Sequence, residues 1–276
     1  MITPLTRTSL RVSAVLYAAL GVVLFAAPDW SAANFAWKIS AFVAMTMGGW
    51  CIGNAYTAWD AARVGNWSTA YGNLVYLWVF GVLEGVVIFL FREKLLLGSL
   101  LAAMYMLTLG SNVWVAILLT KEWIQTRPAL STEGHSVPTW VRGLMIVFIL
   151  FVGFLALYGW VSGAEGRGAD ASIFPEPLSM FSLRAFASFY AALAMSMVPM
   201  LWAKGSQSVL TLGKAGMSFI VAITIAAFVY LSIFNFSEHP GQLMYMGAYV
   251  GAFFVLIGLF IFDKRIQTAS PIASGR

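Results

Sequence analysis

Eight apolar runs dominate this chain, at about 12–28, 38–58, 74–91, 95–119, 141–161, 183–203, 215–236 and 242–262, with short polar connections between them. Each is close to the length of about 20 apolar residues that a helix needs to cross a bilayer. Composition agrees, with 61% hydrophobic residues, 10% charged and a mean hydropathy of +0.84. A soluble domain runs nearer to half apolar and about a quarter charged. The expected fold is therefore an all-α integral membrane protein with eight transmembrane helices, placed in the inner (cytoplasmic) membrane.

The net charge of +5 does not point to nucleic acid, because the basic residues stand singly between apolar runs and form no stripe. They act instead as topology signals. With the N-terminus in the cytoplasm, that side holds Arg7, Arg11, Arg63, Lys121, Arg127, Arg142, Lys204, Lys214, Lys264, Arg265 and Arg276. The other side holds Lys38, Arg92, Lys94, Arg167 and Arg184. Positive residues stay inside, so both termini are expected there. The stretch 10–27 resembles a secretory signal but is read as a retained helix.

Tandem duplication is suggested by landmarks. Leu10-Arg11 to Trp30 matches Val141-Arg142 to Trp160, and Lys38 and Arg184 open the next helix of each half ahead of Ala/Phe-rich segments. A shift of 146 residues then sets helix three on helix seven, with Glu84 opposite Tyr230, and helix four on helix eight. Two four-helix units follow, residues 1–127 and 128–276, sharing one orientation and related by an axis along the membrane normal.

Pro175-Glu176-Pro177-Leu178-Ser179 leading to Arg184-Ala185-Phe186, and Trp37-Lys38-Ile39-Ser40-Ala41-Phe42 leading to Gly49-Trp50-Cys51-Ile52-Gly53-Asn54, resemble patterns in uncharacterised bacterial multispanning membrane proteins. The resemblance covers about a third of the chain and implies no activity.

Few residues carry chemistry. Cys51 stands alone, so no intramolecular disulfide forms, and it reads as a small buried filler. His135 and His239 fall in loops, which leaves no intramembrane histidine for a haem or another metal. Gly163, Gly166 and Gly168 lie in a flexible loop rather than a phosphate-binding turn. With no Ser/His/Asp set, paired carboxylates or metal-ligand cluster evident, the chain is expected not to be an enzyme; no cofactor is indicated.

Glu84 is the exception. It lies among Val, Leu, Ile and Phe in the third run, and no second acid lies in any expected helix. A charge at such a depth costs about 2.5–3.5 kcal/mol on insertion scales. Lys38 and Arg184 have stems long enough to approach it, and Asn54, Asn112 and Tyr230 are candidate polar neighbours, with Lys38 the first expected partner. Either the group fixes helix packing, or it forms a proton or cation site.

Gly49/Gly53, Gly81/Gly85 and Gly247/Gly251 are small-xxx-small pairs that permit close helix approach. Pro199 should bend the sixth helix, and the tryptophans Trp30, Trp37, Trp59, Trp67, Trp123, Trp140, Trp160 and Trp202 should form an interfacial belt. The functional expectation is a non-catalytic membrane subunit, or a partner that binds lipids or hydrophobic ligands. The alternative is a small-solute or ion transporter built around Glu84. A transporter requires a polar cavity between the units; a subunit requires a greasy bundle with an apolar flank.

Overall fold

A computed structural model describes residues 1–161 and 173–269, with side chains to 264 in the last helix. Gly163, Gly166, Arg167 and Gly168 of the long connection, and Arg276, lie outside the described residues. Among the described residues, seven helices are long and apolar enough to cross a membrane, which makes the chain a multi-pass helical membrane protein.

The main helices are α1 (Pro4–Ala26), the short α2 (Pro28–Asn34), α3 (Ala41–Val64), α4 (Tyr71–Leu90), α5 (Leu100–Thr126), α6 (Thr139–Val161), α7 (Met180–Met197), α8 (Gln207–Val229) and α9 (Gln242–Ala269). Apart from α2, successive helices reverse direction. One end of the bundle, here the proximal end, carries residue 1; the other is the distal end.

Capping explains several boundaries that hydropathy misplaced. Thr3 accepts from the Thr6 amide and Pro4 occupies the first turn, so α1 starts well before the expected 12. Ser40, Ser99 and Ser179 cap α3, α5 and α7 in the same way. Gly65, at φ 65°, closes α3 in the left-handed conformation that glycine adopts without strain. Pro199 ends a helix rather than bending it: beyond Met197 the chain tightens into a 3-10 turn at Val198–Trp202.

The helix over 38–58 is present as α3, but it is not among the seven most apolar. Its sequence carries Thr46, Asn54, Thr57 and Asp60, and all four are buried against protein rather than lipid. α3 is the hub of the fold, packed on α1, α4 and α8.

Further pairings join α1 to α5, α4 to α5, α4 to α7, α6 to α7 and α8 to α9. Small residues permit the closest approaches. A Cβ on Gly49 would lie 3.2 Å from Ala222 of α8, and one on Gly53 would fall inside the Phe219 ring. Gly81 leaves similar room for Asn112 of α5. Around these contacts Trp50 stacks on Phe189 at 4.4 Å, Tyr76 meets Phe219 at 5.2 Å and Trp37 stacks on Phe181 at 4.1 Å. Such ring pairs add about 0.5–1.5 kcal/mol each beyond the area they bury. The middle of the molecule is accordingly filled with aromatic rings.

The aromatic belt is partial. Trp30, Trp59, Trp140 and Trp202 are exposed as expected, but Trp37 and Trp67 are buried. Both spend their N–H groups internally, Trp37 on Ser182 at 3.0 Å and Trp67 on Glu122 at 2.8 Å.

Candidate functional site

Glu84 is 3% exposed and faces helices, not acyl chains. Its nearest donor is Tyr105 of α5, whose hydroxyl reaches Oε2 at 3.5 Å, while Oε1 has no hydrogen-bond partner. Tyr17 of α1, Cys51 of α3 and Tyr76 of α4 lie within electrostatic reach of this carboxyl. The polar centre is thus a group of hydroxyl, thiol and carboxyl side chains shared by α1, α3, α4 and α5.

The expected partners are placed elsewhere. Lys38 is exposed at the distal end and makes no hydrogen bond or ion pair among the described residues. Its position ahead of α3, in a segment that turns to solvent, keeps its ammonium where hydration is available. Arg184 of α7 donates to the Gly159 carbonyl and lies over Trp160 at 5.9 Å. Asn112 lies against Gly81 and donates to the Leu77 carbonyl at 3.4 Å, about two helical turns along α4 from Glu84. Asn54 is buried in α3, its Oδ1 unpartnered. Tyr230 caps the end of α8 and packs on Phe42 at 5.8 Å. Of the six candidates, Glu84 and Asn112 line the same α4/α5 seam, Asn54 is buried in α3, and Lys38, Arg184 and Tyr230 serve other sites.

Two further acids are helical and buried, contrary to expectation: Asp60 at 2% exposure and Glu122 at 5%. Expected runs ended too early to include them. Asp60 is paired with Arg63 at 2.7 Å and receives Asn73 at 3.4 Å. Glu122 accepts from the Thr3 amide at 3.0 Å, the Thr3 and Thr6 hydroxyls at 2.6 and 2.5 Å, and the Trp67 indole. With Ile2 donating to the Gly65 carbonyl and Arg7 to Ala62, this carboxylate fastens the start of the chain to α3 and α5.

A Ser/His/Asp set also exists in space. Ser206 Oγ lies 3.3 Å and Asp263 Oδ1 3.4 Å from His135, but both address Nδ1. A proton relay needs the serine on one ring nitrogen and the acid on the other. The set works instead as a clamp, holding the loop before α6 against the end of α9. No group of three or more potential metal ligands exists among the described residues.

A cavity lies apart from both polar clusters. It occupies about 500 Å³ among α6, α7, α8 and α9, walled by Phe148 and Leu155 of α6, Phe189 of α7, Phe219 of α8, and Val255 and Leu256 of α9. Glycines make the room: a Cβ on Gly247 or Gly251 of α9 would meet nothing within 4 Å. Leu144, Val147 and Val255 at its lips are exposed, so the cleft opens sideways between α6 and α9. At the proximal end it is shut, where Trp140 meets Phe262 at 5.6 Å above the His135–Asp263 clamp. Among the first helices, α1 packs directly on α5.

Sequence reading missed the cleft because nothing polar marks it. Its one signal was the Gly247/Gly251 pair, which looks the same whether it receives a helix or leaves a void. Comparison with known protein families, curated proteins and solved structures yields no match for this chain.

Proposed function

We propose that this is a non-catalytic, multi-pass protein of the cytoplasmic membrane that holds a lipid or another hydrophobic ligand in the α6–α9 cleft, either alone or as a subunit of a membrane complex. One observation carries the reading: a lateral opening of about 500 Å³ whose walls are almost wholly hydrocarbon and aromatic. Concave, largely apolar sites with a few polar groups are where small ligands bind. In a bilayer such an opening is filled by whatever lipophile fits it best. A transporter would call for a polar cavity between the halves; the seam between them is instead packed with Trp50, Phe186, Phe189 and Phe219.

The same reading takes α3 as an eighth span and the chain as two tandem units, 1–127 and 128–276, with both termini in the cytoplasm. Its support is the pairing across the seam, α3 with α8 and α4 with α7. That exchange of second and third helices is what a two-fold axis along the membrane normal produces. One copy is closed and the other open, so the binding role belongs to the second.

Purification in mild detergent, followed by solvent extraction, tests the function. A lipophile should be retained in stoichiometric amount by the wild-type chain and lost from Gly251→Phe, whose ring would occupy the cleft. Equal lipid content in both proteins would refute it.

The alternative centred on Glu84 has one observation in its favour, the unpartnered Oε1. Proteoliposome flux abolished by Glu84→Gln, with stability retained, would support that alternative over the cleft.

A further inference from the structure

The cleft is greasy but not featureless. Six side chains bring hydroxyls to its wall, Thr57, Tyr76, Tyr190, Ser196, Tyr245 and Tyr249, and the Trp140 indole stands at its proximal end; no Lys, Arg, His, Asp or Glu lines it. Two of these hydroxyls are spent on their own helices, Thr57 on the Gly53 carbonyl at 2.7 Å and Ser196 on the Leu193 carbonyl at 2.7 Å. The Tyr76 hydroxyl is without a hydrogen-bond partner and lies within electrostatic reach of Glu84.

The other three form a group. Tyr190 and Tyr249 hydroxyls stand 3.2 Å apart, so they share one hydrogen bond and leave one of their two hydrogens over. The Tyr245 ring lies 4.9 Å from that of Tyr249, and its hydroxyl, on a side chain only 3% exposed, completes no well-aligned hydrogen bond, although the Tyr249 and Thr46 hydroxyls stand close to it. At least one hydroxyl hydrogen of this linked group is therefore left facing an apolar space without an acceptor. A buried unpaired hydroxyl is costly, and in hydrocarbon water does not satisfy it cheaply.

The chemistry that completes this arrangement is specific. A phosphate or carboxylate head would bring charge into a wall without a cation, at the cost of desolvating it. A pure hydrocarbon would leave that hydrogen unmet. An uncharged molecule with carbonyl oxygens meets both conditions, and the rings of Phe148, Phe151, Phe189 and Phe219 around the space favour a flat head that can lie against them. We infer that the α6–α9 cleft binds a quinone-type lipid, its ring carbonyls accepting from the Tyr190–Tyr245–Tyr249 hydroxyls and its hydrocarbon tail leaving between α6 and α9. This identification rests on the cleft being a ligand site, as proposed above, and adds the class of ligand.

Native mass spectrometry of the full-length protein separates the two claims. Delipidated protein is incubated with decylubiquinone, dioleoylglycerol or squalene, which offer a ring carbonyl, an ester carbonyl and no carbonyl. Wild type should take up decylubiquinone at least about tenfold better than either of the others, as expected for one or two hydrogen bonds of ordinary strength. Tyr245→Phe/Tyr249→Phe should lose that preference while still binding squalene as wild type does, and Gly251→Phe should bind none of the three. Squalene uptake equal to that of the quinone, or a quinone preference that survives the double substitution, overturns carbonyl recognition and leaves the cleft as a hydrocarbon site. Equal uptake of dioleoylglycerol overturns the flat ring. If wild type binds none of the probes, the ligand site itself falls with them.

Discussion

The Trp67 indole donates to Glu122 Oε2 at 2.8 Å, while the Thr3 and Thr6 hydroxyls crowd the other oxygen of the same carboxylate. Four donors and no cation surround Glu122. Glu122→Gln replaces one acceptor oxygen by an amide that faces donors, so one interaction is lost and another becomes repulsive. Hydrogen bonds to charged groups are worth about 1.5–3 kcal/mol. The expected loss is about 2–3 kcal/mol in a reversible SDS unfolding titration, with Thr6→Val costing less. An unchanged unfolding midpoint would show that the N-terminal fastening contributes nothing.

For Glu84 the expectation is the opposite. Its contact is with the neutral Tyr105 hydroxyl, and Gln keeps both shape and an acceptor for it. Glu84→Gln should shift stability by less than about 1 kcal/mol, the worth of one ordinary hydrogen bond. Lys38→Ala should have no effect. A loss of several kcal/mol in Lys38→Ala, the signature of a broken buried ion pair, would restore the pairing expected from sequence.

Glu176 supplies a pH dependence outside the spans. Burial holds its carboxyl above the usual carboxylate range, and a hydrogen bond from Ser40 offsets that only in part. A pKa raised on folding means that the folded state binds the proton more tightly than the unfolded state. The stability this group contributes is therefore full below the unfolded value and lost as pH rises through the raised one. Thermal melts in micelles should show wild type declining relative to Glu176→Gln above the carboxylate range, near pH 4.3 for a free glutamate. Parallel curves would remove Glu176 as the cause.

Orientation is checked independently by labelling. In a cysteine-free Cys51→Ser background, a cysteine at Ser237, in the α8–α9 connection, should react with an impermeant maleimide from the outside of intact cells. One at Thr132 should react only after permeabilisation. The reverse pattern would overturn the charge-based orientation.

Hydropathy located the spans because lipid demands long apolar segments whatever the packing between them. It could not locate their ends, which depend on single capping groups such as Thr3, Ser99 and Gly65. Those ends decided whether Asp60 and Glu122 counted as loop residues or buried helical ones. Trp67 looked interfacial for the same reason, since its partner is 55 residues away in the chain. Glu84 stood out because a carboxylate among aliphatic residues is conspicuous, but its neighbours came from helix packing that no local pattern encodes. The cleft was the least legible feature: apolar residues facing a void, facing lipid and facing each other read alike.

On the function proposed above, the second four-helix unit is held open around a ligand while the first is closed. Cryo-electron microscopy of the full chain in lipid nanodiscs, with a bound antibody fragment as fiducial, tests it most directly. Elongated non-protein density is expected between α6 and α9, ending beside Tyr190, Tyr245 and Tyr249. A map in which α6 packs against α9 as α1 packs against α5, with side chains filling the space and no density between, would contradict it.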